Sequence, residues 1–145
     1  MSVFKLDPRL AANSQLLAVG PLSQLRLMDD TRYPWLLLVP RLPGAIELID
    51  LDEDQQRLLG RETRHAGELL RAMAACEKLN VAALGNIVRQ LHVHVVSRSP
   101  GDEAWPGPVW GNGTARRVPT AALATRLASF RAHLQPEFWE QRSSL

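Results

Sequence analysis

The residues Gln90–Arg98, reading Gln-Leu-His-Val-His-Val-Val-Ser-Arg, alternate polar and apolar side chains across a β-branched run. That alternation is the pattern of a half-buried strand. Successive side chains of a strand point to opposite faces, so Leu91, Val93 and Val95 go one way and Gln90, His92 and His94 the other. The apolar row must face a core, which leaves an amide and two imidazoles in line at about 6.5–7 Å spacing. Three readings of that row stand at this point. It is a solvent-facing strand face that carries histidine, a two-histidine metal clamp, or a catalytic face on which one imidazole is nucleophile or base.

The rest of the chain has to cover such a strand. At 145 residues it forms one domain with room for a core. A net charge of +2 with no Lys/Arg cluster argues against a nucleic-acid partner. Cys76 is the one cysteine, which excludes an internal disulfide and a Cys-rich zinc site. It falls on a helical pattern, where a buried structural thiol is expected. The N-terminus lacks a basic segment followed by an apolar run, and no stretch approaches about 18 apolar residues. A cytoplasmic, soluble protein with no membrane partner is expected.

In order, Asp7-Pro8 opens a short helix with proline in its first turn. Gln15–Val19 is an apolar run ending at the Gly20-Pro21 turn. Leu22–Met28 reads as a strand, and Asp29–Pro34 as its polar turn, whose carboxylates are turn chemistry or an acceptor for a ribose hydroxyl. Trp35–Val39 is continuously apolar, which suits a strand buried on both faces and hairpinned to the one before. Acidic Asp50–Asp54 then opens a helix of about 25 residues. Its stripe is Leu58, Leu59, Glu62, Ala66, Leu69, Leu70, Met73 and Cys76, with Glu62 the one polar member and His65 at the edge. Lys78–Leu84 reads as a strand running into Gly85-Asn86, and its return through Arg89 brings Asn80 and Asn86 beside the histidine face. After Arg98 a Pro/Gly loop carries Trp105 and Trp110, read as a lid, a base-stacking platform or an inter-subunit contact. Pro119–His133 is a C-terminal amphipathic helix.

Gly85 through Val96 resembles the histidine triad (HIT) motif, His-φ-His-φ-His-φ-φ. Lys78-Leu79-Asn80, the strand end Leu38-Val39-Pro40-Arg41 and the Trp-Pro-Gly element at Trp105 are similar to the same family, so the resemblance covers roughly residues 15–111. It implies an α+β HIT-like fold, with an antiparallel sheet of about five strands, a long central helix and a C-terminal helix. It also implies a nucleotide hydrolase or transferase acting at the α-phosphate of a phosphoramidate, dinucleoside polyphosphate or adenylate, without metal or cofactor. His92 stands at the position that attacks phosphorus and becomes nucleotidylated. His94 stands where the family contacts the phosphate or leaving group, and Asn86 where a side chain meets the α-phosphate or bridging oxygen. Asn80, and Asp29 or Asp30, stand for nucleoside contacts with a purine nucleotide. The family further implies a homodimer in which the Trp105–Trp110 loop reaches the partner's site.

Two departures stand out. The first triad histidine is Gln90, which hydrogen-bonds both ways but carries no charge. The histidine that many members place at the start of the apolar strand is Trp35. A protein that binds nucleotide as a regulator, with little turnover, is the alternative these departures leave open.

Overall fold

The computed structural model describes residues 2–142. In chain order the elements are α1 (Pro8–Asn13), β1 (Ser14–Val19), β2 (Ser23–Met28), β3 (Trp35–Pro40), α2 (Glu53–Met73), β4 (Lys78–Ala82), β5 (Val93–Arg98), α3 (Thr120–Arg131) and β6 (Glu140–Gln141). A 3-10 turn, Leu48–Asp50, precedes α2. The strands form one antiparallel sheet in the order β4-β5-β3-β2-β1-β6.

β3 lies at the middle of the sheet and is buried throughout, as its unbroken apolar run requires. Leu36 and Leu38 join the larger core with Leu91, Val93 and Val95, under Leu59, Ala66, Leu69 and Leu70 of α2. Trp35, Leu37 and Val39 join a second cluster on the opposite face, with Leu10, Tyr33, Val96 and Val109. The two faces are therefore built differently. One is a helix-covered core, and the other is roofed by α1 and by loops, which leaves room for a cavity.

α2 is shorter than its apolar stripe suggests. Asp52 accepts from the Gln55 N–H while Gln55 reaches back to the Asp52 N–H, a capping box that starts the helix at Glu53 rather than Asp50. The helix stops at Met73, so Cys76 lies beyond it. The expected buried thiol is instead a half-buried one whose Sγ meets the Lys78 carbonyl. Glu62, the polar member of the stripe, is fully buried and accepts from the Leu22 and Ser23 N–H groups, both at 2.8 Å. It thereby ties the β1–β2 turn to α2. Gly20 sits so close that a Cβ there would lie 2.5 Å from Glu62 Oε1 and 2.6 Å from the Trp139 ring.

Three other expectations change. The sheet has six strands, because two residues near the C-terminus pair with β1 at Ala18 and Val19. The histidine strand begins at Val93, leaving Gln90, Leu91 and His92 in the turn before it. β4 ends at Ala82. In α3 the only buried residue is Phe130, with Leu123 and Leu127 half-buried, so this helix lies loosely on the sheet edge. Its contribution is to bring Arg131 onto the Leu16 and Leu17 carbonyls.

Candidate active site

His92 is buried at the threshold of β5, and the Leu91 N–H donates to the Ala45 carbonyl, which anchors the turn one residue before it. The His92 Nδ1 lies 2.7 Å from the Gln90 carbonyl oxygen. A carbonyl oxygen only accepts, so Nδ1 carries a proton, and in the neutral imidazole the lone pair is on Nε2. The backbone thus selects the tautomer of this imidazole.

His94 is the second residue of β5 and pairs with Leu37 of β3. Trp35 pairs with Val96, which makes it the diagonal cross-strand neighbour of His94 on the same face. Its indole Nε1–H donates to His94 Nδ1 at 3.0 Å. The Trp110 ring stands edge-on to both, 5.3 Å from the His94 centroid and 6.0 Å from that of Trp35. The two imidazoles are themselves 4.9 Å apart between centroids. Burial among these rings, and then the neighbouring His92, push the His94 imidazole down to about 3. At neutral pH it is uncharged.

These groups open onto a cavity of about 490 Å³, within the range of small-molecule sites. His92, His94, Asn86, Trp35 and Trp110 line it, with Leu10, Met28, Leu37 and Val88 as apolar wall. Asp29, Asp30, Asn13, Arg32 and Arg117 are its charged and polar lining. Asp30 is buried against Arg32 at 2.8 Å. Burial opposes its charge, but the bonds from Arg32 and the Arg116 N–H outweigh that and hold its carboxyl below the usual range. Asp29 accepts from Arg117 at 2.8 Å and from the Val118 N–H at 2.7 Å. Both carboxylates therefore fasten the Arg116–Val118 segment along the rim.

Of the residues singled out from the sequence, His92, His94, Asn86 and Asp30 meet in this cavity. Gln90, Asn80 and Trp105 are not among its lining residues. The Gln90 amide accepts from the Asp7 N–H and donates to the Lys5 carbonyl, both at 2.8 Å, and so clamps the N-terminal segment. Asn80 accepts from Arg98 at 2.7 Å. Arg98 is buried, forks onto Asp102, and also reaches the Gly107 carbonyl. Trp105 packs over the Arg98 guanidinium at 5.8 Å and is 37% exposed. Asn80 and Trp105 thus support the loop that carries Trp110. Arg117 and Asn13 went unnoticed in the sequence because nothing local marks them. Trp110 carried a signal, an indole in a Pro/Gly loop, but Trp105 shared it. Among the described residues, no three His, Cys, Asp or Glu side chains gather in a metal-sized group. No helix among them is long and apolar enough to cross a membrane.

Comparisons with known proteins bear on the family and the fold. A family model described as the HIT domain matches residues 9–101. A histidine triad protein of Bradyrhizobium japonicum is 41% identical, over 92% of this chain and 100% of its own, with a TM-score of 0.87. A histidine triad (HIT) protein of Sinorhizobium meliloti is 44% identical over 90% and 97%, with a TM-score of 0.86. One from Marinobacter aquaeolei is 39% identical over 92% and 97%, with a TM-score of 0.87. Nothing among curated proteins matches the chain.

Proposed function

The chain belongs to the HIT family, and from that premise we propose that it is a nucleotide hydrolase or transferase working at the α-phosphate through a nucleotidyl-His92 intermediate. The observation that carries this reading is the Nδ1–H bond from His92 to the Gln90 carbonyl, which leaves Nε2 as the attacking atom. The Nε2 lone pair forms the N–P bond, the P–X bond breaks, and the leaving group departs with the bonding pair. The imidazole is then cationic, and the Gln90 carbonyl accepts its Nδ1–H throughout. Water attacks the same phosphorus and releases a proton to the solvent, the P–N bond breaks, and its electron pair returns to Nε2. His94 and the Asn86 amide supply donors for the charge on the phosphoryl oxygens, as an oxyanion site does. The apolar wall of Leu10, Met28 and Val88 suits a purine nucleoside.

We also propose a cytoplasmic homodimer. The support is the open β4 edge at one side of the sheet, flanked by exposed Val81, Leu48 and Ile49.

Intact mass after brief mixing with an adenosine phosphoramidate tests the catalytic reading. A transient nucleotidyl adduct on the wild type, absent from His92→Ala, is the expected result. Full turnover by His92→Ala would overturn it. Absence of both adduct and hydrolysis, with AMP still bound, would assign the chain a binding role instead.

A further inference from the structure

We propose that Trp35 is a positioning residue that holds His94 in the neutral tautomer protonated at Nε2, so that the site presents a fixed, uncharged hydrogen-bond donor beside the His92 nucleophile. An indole N–H donates and never accepts. With Trp35 Nε1 at 3.0 Å, His94 Nδ1 has to be the bare acceptor. A neutral imidazole has one proton, which therefore sits on Nε2. The other tautomer and the imidazolium both set an N–H of His94 against the indole N–H, and the indole has no freedom to turn away. It is buried, its ring is 6.3 Å from Tyr33 and 6.0 Å from Trp110, and its backbone is fixed in the middle strand of the sheet.

The consequence follows from the pair of histidines. His92 has its proton on Nδ1, placed there by a carbonyl. His94 has its proton on Nε2, placed there by an indole. Two chemically identical side chains, two residues apart on one backbone, are thus given opposite tautomers, one a base and one a donor. Burial, which keeps His94 uncharged, reinforces the assignment but does not choose between its nitrogens. Trp35 is on this account a device that makes His94 a donor.

The test is nitrogen-15 spectroscopy of labelled histidine at pH 7, with His94 assigned by the signals missing from His94→Asn. The wild type is expected to show His94 Nδ1 as pyridine-type and Nε2 as pyrrole-type. A pyrrole-type Nδ1, or averaged signals, would overturn the proposal. In Trp35→Phe, which keeps the bulk and removes the donor, the two tautomers are expected to mix. Retention of the single Nε2–H form there would overturn the role of Trp35. The kinetic arm rests on the proposed hydrolysis. Trp35→Phe is expected to lower kcat about tenfold and change KM less than about threefold, the loss of one charge-assisted hydrogen bond in the transition state. An unchanged kcat alongside mixed tautomers would show that the tautomer is not used. If the wild type neither hydrolyses the phosphoramidate nor forms the adduct, the proposed function fails, while the spectra still decide the tautomer.

Discussion

At the scale of single residues, the site depends on what each polar atom is bonded to. If His92 is the nucleophile, as proposed, His92→Ala is expected to reduce kcat/KM by at least about a thousandfold. Steady-state assay of the purified variant checks this, and a loss below tenfold would argue for another nucleophile. His94 makes a separate prediction about stability. In the folded chain it resists protonation down to about 3, against an ordinary value of 6.5. Below pH 6.5 the unfolded chain therefore binds one proton more. Stability drops by up to about 1.4 kcal/mol per pH unit as the pH falls from there toward 3. His94→Asn removes this component. Its urea midpoint should shift less between pH 6.5 and 5 than that of the wild type, and equal shifts would contradict the burial of a neutral imidazole.

At the scale of elements, two buried polar side chains join pieces distant in sequence. Glu62 of α2 receives two N–H groups of the β1–β2 turn. Glu62→Leu strands both donors and should destabilise by about 2–4 kcal/mol, whereas Glu62→Gln keeps an acceptor and should lose less than half as much. Urea denaturation of the two variants measures the contrast. Arg98 ties β5 to the loop through Asp102 and Gly107, and the hydrogen bond from Arg98 holds the Asp102 carboxyl below its usual range. Arg98→Met leaves that carboxylate without its partner, at an expected cost of about 3–5 kcal/mol. Trp110 hangs on the same loop, so substrate KM should rise as well. A variant that loses stability while KM stays put would separate the loop from the site.

At the scale of the whole molecule, the sheet has unequal edges. The outer strand on one side, β6, has two residues. The other, β4, has five, among them Val81 at 51% exposure, and shares a groove with Ile49 at 87%. Unpaired edges with apolar neighbours invite a second strand. The proposed dimer should therefore form through β4, and Val81→Lys with Ile49→Lys should yield monomers in sedimentation velocity. A dimer that survives both substitutions would place the interface elsewhere.

Much of this architecture was legible in the sequence for a physical reason. Burial periodicity is local, so the alternation of Leu91, Val93 and Val95, the unbroken run of β3 and the stripe of α2 each declare a face without knowing what covers it. The start of α2 was blurred because a run of acidic residues offers several caps, and only the Asp52–Gln55 pair closes the box. β6 was invisible, since two residues carry no period.

The family, the α+β class and the residue at the nucleophile position rest on the order of residues in the chain. Which polar groups remain free for chemistry does not. Gln90, Asn80 and Trp105 look like site residues along the chain, yet their partners are Asp7, Lys5 and Arg98, brought to them by the fold. A hydrogen bond between residues 35 and 94 likewise decides what His94 can donate. Periodicity fixes the direction of a side chain, but a proton's position depends on the atom it meets, and only the packed chain supplies that atom.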